Sequence, residues 1–287
     1  MAEEPASNPT KAALYMVAAS ASFAAMAAVV KSLALETSVW ATVWVRSVLV
    51  AVAALALLKA RGAPVRMHDH RRLLVRSVSG FTAMGCYFWA LGHGELGSIM
   101  TVQYTAPLFV ALLAPAVVGE PLSRSVFGWL LVGFAGVVLV VRPGGMGSWG
   151  VGVALIGAVL SAVAYLSVRA LRRTEDPDVI VLHFALVSVV LASPSVIELV
   201  REPPSLFAWV GMLAVGTFGL GGQLGMTRAY RYGDAARVSG FSYTSVALGL
   251  VFGALLFDEP LVWQSVAGAA VVAGAGIALA RERQASQ

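Results

Sequence analysis

The sequence predicts an all-α integral membrane protein, ten transmembrane helices arranged as two inverted five-helix repeats. Three observations carry that prediction. Of 287 residues, 59% are hydrophobic and 12% charged, about half the charged share of a soluble domain. The apolar residues gather into ten runs near the length that crosses a bilayer. And one stretch is written twice: YTAPLFVALLAPAVVGEPL at 104–122 and YTSVALGLVFGALLFDEPL at 243–261.

The runs lie near 12–33, 38–58, 73–92, 97–118, 124–141, 149–170, 179–200, 206–227, 238–257 and 262–280. Hydrocarbon offers no partner to a bare peptide group, so each must be a helix. A transmembrane barrel would show short alternating segments instead. So many spanning-length runs also exceed what one soluble core can bury. The first run is longer than a removable signal's core, and upstream of it stand Glu3, Glu4 and a single positive charge, Lys11; it reads as a retained span. Cys86, the one cysteine, falls inside the third run and reads as a small packing residue.

Lysine and arginine set the orientation. With the N-terminus inside, the cytoplasmic side collects Lys11, then Lys59, Arg61, Arg66, Arg71, Arg72 and Arg76 in the second loop. Arg124, Arg169, Arg172, Arg173, Arg228, Arg231, Arg237, Arg281 and Arg283 join them. The far side keeps Lys31, Arg142 and Arg201, and Arg46 is left within the second span. Both termini are therefore expected on the cytoplasmic face of a bacterial-type inner membrane. The net charge of +5 is a topology signal, with the lipid bilayer as partner; no basic soluble module is left for nucleic acid.

The repeat extends beyond the quoted lines. Gly94 and Glu95 align with Gly233 and Asp234, Gly128 and Gly136 with Gly268 and Gly276, and Ser22 with Ser161. Each half, 1–145 and 146–287, is one five-span unit. Five is odd, so the second copy enters the membrane from the opposite side. Units related in this way recur in secondary transporters, with the substrate site near the midplane between them.

Ten spans, two five-helix halves and the GEPL and DEPL turns before each last helix resemble the EamA family of the drug/metabolite transporter superfamily. The resemblance implies a ten-helix bundle around a central cavity. It implies that the first, third and fourth helices of each half line that cavity, and that the fifth and tenth pack outside. It also implies movement of small metabolites, often amino acids and often outward.

The residues add detail. Pro121 and Pro260 suit the first turn of a helix, and Glu120 and Glu259 just ahead suit a cap at its positive end. Asp258 should face outer water. No carboxylate falls mid-span, which argues for facilitated diffusion or exchange over proton coupling. His93 and His183 read as boundary polar residues, and Lys31 as an interface anchor or an outer-gate charge. Arg46 lies eight residues into the second span; a charge at that depth must face protein, water or a substrate's anionic group. In the fourth span Met100, Gln103, Tyr104 and Pro107 share one helical face, and Pro107 can kink the helix. Ser239, Ser242, Tyr243 and Val246 mirror them in the ninth. Phe23, Tyr87 and Tyr165 add aromatic surface from other cavity-side helices. The glycine-rich GTFGLGGQLG at 216–225 permits close helix contacts; no strand precedes it and no Lys-Ser/Thr follows it, so it is no nucleotide loop.

The expected function is a secondary carrier of a small organic molecule by alternating access, first an exporter of amino acids, aromatic ones included. The alternative is an uptake carrier for a nucleoside-like metabolite such as S-adenosylmethionine. An intramembrane enzyme would need a reactive constellation; His68 and His70 sit in the basic loop RMHDHRR without a mid-membrane carboxylate. No catalytic residue, metal or cofactor is expected. The chain is expected to act as a monomer or homodimer.

Overall fold

The computed structural model describes residues 8–118, 124–141, 148–233, 238 and 241–285. Among these the regular structure is entirely helical. Helices α1 to α6 are Pro9–Leu33, Val39–Ala60, His70–Leu91, Leu96–Gln103, Ala106–Val118 and Arg124–Val141. Helices α7 to α12 are Ser148–Leu171, Pro177–Ala192, Ser195–Arg201, Leu206–Tyr232, Thr244–Phe257 and Trp263–Ala285, with a 3-10 turn at Phe241–Tyr243 before α11. Their starts follow ordinary capping chemistry. Asn8, Ser38, Asp69 and Ser205 accept from the amides of Lys11, Ala41, Arg72 and Ala208.

Five stretches are long and apolar enough to cross a bilayer: α1, α2, the α4–α5 stretch Leu96–Val117, Trp149–Leu171 and α10. Helices α8 and α9 add a sixth if the pair, bent by 62°, is one span. The expected runs at 73–92, 124–141, 238–257 and 262–280 are helical over their described residues. Their apolar stretches at Phe127–Gly136, Phe241–Phe257 and Trp263–Ala275 are shorter, and α3 carries Arg71, Arg72 and Arg76 in its first two turns. The bundle's exterior is apolar: Val52, Leu131, Val190, Leu206 and Leu255 are among its exposed large side chains. A surface so oily belongs against lipid.

Two of the breaks have a proline behind them. Pro107 has no amide to give the Gln103 carbonyl and disfavours helix in the residue before it. The expected kink is a two-residue turn at Tyr104–Thr105 within one span, where the Thr105 hydroxyl bonds back to the Val102 carbonyl at 2.7 Å. Pro194 interrupts α8 and α9 likewise, with Ser193 and Ser195 hydroxyls on the carbonyls of Val190 and Ala192. The 3-10 turn ending at Tyr243 falls at the repeat position of Tyr104, although Val246 stands where Pro107 does in the first half.

Packing partners exchange when the two halves of the sequence are exchanged. Helix α1 packs along α10 as α3 packs along α7; α2 meets α10 as α8 meets α3. The α4–α5 stretch lies on α7 as α11 lies on α1, while α2 meets α8 and α6 meets α12. Helix α5 runs towards the end where α1 begins, its Val110 and Ala114 clustering with Ala12, Met16, Leu73 and Leu171. Helix α11 finishes at the other end, with Phe257 under the Lys31 ammonium at 5.3 Å.

Glycine sets the closeness of α1 and α10. A side-chain carbon at Gly225 would stand 3.0 Å from the Tyr15 carbonyl oxygen and 3.1 Å from the Ala19 methyl, and backbone cannot step aside. Gly225→Val should therefore cost about 1–3 kcal/mol by overpacking. Gly152→Ala, with nothing within 4 Å of the new methyl, should leave the unfolding midpoint in detergent unchanged; equal behaviour of the two variants would contradict this account.

Candidate functional site

A cavity of about 80 Å³ lies inside the bundle, room for roughly half a dozen waters. Phe23 and Met26 of α1, Tyr87 and Phe88 of α3, Tyr104 at the α4–α5 break, Tyr165 of α7 and Phe184 of α8 give it aromatic and thioether walls. Arg46, Arg76, Gln103, Ser161, Gln223 and Ser242 supply its polar groups. Of the side chains expected there, Phe23, Arg46, Tyr87, Gln103, Tyr104, Pro107, Tyr165 and Ser242 line it. Met100 does not: it is fully buried and packs its side chain against Gly249 of α11, within 3.2 Å of a carbon placed there. Gln103 and Tyr104 of the same stripe do line the cavity; Met100 is the member turned towards α11. Tyr243 is buried outside the cavity, its hydroxyl without a hydrogen-bond partner, and Val246 is in the core. Ser239, Glu120 and Asp234 lie outside the described residues.

The largest departure from the sequence reading is Arg76. Counted there with the cytoplasmic loop, it is 2% exposed and faces the cavity, and Arg46 is 1% exposed. The charges of Arg71 and Arg72 in the exposed first turn of α3 hid an arginine one turn deeper on the inward face. Arg76 Nη2 donates to Gln223 Oε1 at 2.8 Å. Both guanidiniums lie over the Phe184 ring, 5.7 Å from its centroid for Arg46 and 4.3 Å for Arg76, a cation–π arrangement that offsets part of their desolvation. Arg46 Nε and Nη1 and Arg76 Nε have no hydrogen-bond partner. Among the described residues no carboxylate pairs with either. Gly219 leaves the space for Arg46, since a carbon there would come within 2.6 Å of Nε. Gln103 is held by its amide donating to Ser161 Oγ at 2.8 Å. Gln223, a lone amide inside the glycine-rich segment, was the readable sign of polarity in the eighth span. Among the described residues no three His, Cys, Asp or Glu side chains gather as metal ligands would.

The EamA-like transporter family matches twice, over residues 10–142 and 148–281. The chain belongs to that family. The pseudopaline exporter CntI of Pseudomonas aeruginosa is 30% identical over 273 residues, covering 94% of this chain and 96% of that protein. An uncharacterised transporter of Helicobacter pylori is 27% identical over 220 residues, 73% of each. A solved crystal structure superposes with a TM-score of 0.72 over 97% of this chain and 99% of that one, at 20% identity, a likeness of fold alone. This EamA-like chain is a multi-pass membrane transporter.

Ion pairs close both ends of this EamA-like bundle. Where α1 finishes, Lys31 Nζ meets Glu259 Oε1 at 2.9 Å and donates to the Gly94 carbonyl at 2.6 Å. Glu259 accepts from the amides of Leu96 and Gly97, at 2.7 and 3.3 Å. It thus caps α4 in the other half, not the helix that follows it in sequence. Lys31 is correspondingly a part-buried partner of the second half and not a free interface anchor. At the opposite end Arg169 Nη1 donates to the Gly233 carbonyl at 3.1 Å; Gly233 aligns with Gly94, and Arg169 stands one position before the residue aligned with Lys31. Asp178, fully buried, accepts from Arg61 and, at 2.8 Å, from Arg228. Asp176, then Asp178, hold the Arg61 guanidinium above its ordinary pKa. Glu175 accepts from the amides of His68 and Asp69 at 2.7 and 2.8 Å. His183 Nδ1 lies 2.8 Å from Ser77 Oγ and His93 Nδ1 lies 2.7 Å from the Trp89 carbonyl, both as local polar contacts. Asp258, in the left-handed region at φ 51°, is exposed.

A double-mutant cycle with Lys31→Met and Glu259→Gln, read by unfolding in mixed micelles, should give a coupling of about 0.5–3 kcal/mol. Additive single effects would mean that the two groups do not hold each other.

Proposed function

We propose that the protein is a secondary carrier that alternates between two faces and exports small carboxylate-bearing metabolites, amino acids with apolar or aromatic bodies foremost. The observation that carries this reading is the cavity itself: rings and thioethers surround two guanidiniums that no carboxylate among the described residues neutralises. Apolar walls with a few converging polar groups suit an amphipathic small molecule, and a guanidinium is the side chain best shaped for a carboxylate. The same charges disfavour a cationic sulfonium such as S-adenosylmethionine.

Ten spans in two inverted halves, 1–145 and 146–287, are part of the proposal. The exchangeable packing partners, the opposed directions of α5 and α11 and the doubled family match support it. So do the paired contacts of Lys31 and Arg169 at opposite ends. The Lys/Arg distribution supports an inner-membrane orientation with both termini cytoplasmic, which puts Lys31 and Glu259 at the outer face. The relative named as an exporter supports the direction. Among the described residues no Asp, Glu or His lines the cavity, so exchange or facilitated diffusion fits better than proton coupling. The carrier works as a monomer or homodimer, with no nucleic-acid partner.

Proteoliposomes preloaded with unlabelled amino acid should accumulate the same labelled amino acid by counterflow. No counterflow for any amino acid would remove the substrate assignment. Arg46→Ala and Tyr104→Ala should erase the thermal shift that a transported amino acid produces. Trp149→Ala, at an 81% exposed position, should keep it.

A further inference from the structure

We propose that the substrate carries two carboxylate groups, one taken by Arg46 and the other by Arg76. This rests on the carrier reading above and narrows its substrate. Arginine stays protonated even in protein interiors, so the cavity holds two positive charges. Gln223 occupies one nitrogen of Arg76, and Phe184 gives both guanidiniums a ring face. Neither contact cancels charge. Three buried guanidinium nitrogens, two on Arg46 and one on Arg76, are left without an acceptor, and buried donors without acceptors are strongly disfavoured. A single carboxylate would leave one guanidinium uncompensated in a water-poor site, the costliest arrangement for a buried ion. Because both lie over one ring, the guanidinium carbons are no farther apart than their two distances to its centroid added together. A short dicarboxylate covers that span. Gly80 and Gly219 make room for the two guanidiniums, since a methyl at either would strike the Arg76 or Arg46 guanidinium.

The test compares matched pairs on the full chain in detergent: glutamate against glutamine, and succinate against butyrate, with phenyl phosphate as a phosphate-monoester arm. By thermal shift, the member with two carboxylates should bind at least about tenfold more tightly than its partner. Arg76→Gln should abolish that preference and leave the ligand-free protein at least as stable, because an uncompensated buried charge is gone. Arg76→Lys, which keeps the charge, should retain the preference. Equal binding within each pair would overturn the proposal, as would no shift with any dicarboxylate or a preference that survives both Arg46→Gln and Arg76→Gln. Phenyl phosphate binding more tightly than succinate would overturn it in favour of a phosphorylated substrate. Counterflow separates the two levels of inference. Equal transport of glutamate and glutamine leaves the carrier standing and removes the second carboxylate. A two-carboxylate preference in binding without counterflow of either compound keeps the site and removes the carrier.

Discussion

In hydrocarbon a polar group is satisfied by the protein or not at all. That constraint orders the whole bundle. Where proline takes an amide away, neighbouring hydroxyls turn back on the helix, as Thr105, Ser193 and Ser195 do. The charges at the ends are paired across the halves of the sequence: Lys31 with Glu259, and Asp178 with Arg61 as well as Arg228 of its own half. Against that background the cavity arginines are the exception. Elsewhere the described buried charges have partners, and here two have no carboxylate among the described residues.

The legible part of the sequence was whatever depends on local composition. Apolar runs mark helices because a spanning segment must be oily along its length, and the helices fall where the runs do. Arg46 was visible because it stands alone in such a run. Arg76 was not, because a cluster of loop arginines just before it supplied a simpler explanation. The interruption before Pro107 had a local cause and was half foreseen; its counterpart at Phe241–Tyr243 has valine at the matching place and no such sign. Met100 and Tyr243 belong to the buried core cluster beside the cavity, because helical spacing shows which residues share a face but not which neighbour that face meets. Partners set by tertiary structure were illegible altogether. Nothing near the DEPL turn says that Glu259 caps a helix 163 residues away.

The two ends of the bundle are alike in one respect. At each, a cation from the last turns of a helix reaches the carbonyl of an equivalent glycine, Lys31 to Gly94 and Arg169 to Gly233. Two such similar contacts can differ in strength without new architecture. The Lys31 contact is shorter and adds a carboxylate that also holds the start of α4. Opening that side means separating Glu259 from an ammonium and two amides together.

Charge then determines which form of the carrier can afford to close. Sealing an empty cavity traps two guanidiniums in a shrinking, drying space, where their mutual repulsion and lost hydration are greatest. Sealing it around an anionic ligand replaces water with carboxylate oxygens at the same nitrogens. With the proposed anionic cargo, the loaded form passes through the closed state more easily than the empty one, and the charge of the cargo sets the size of the difference. On the proposed reading, such a carrier favours exchange over net flow, and it needs no titratable carboxylate in the cavity to couple the two faces.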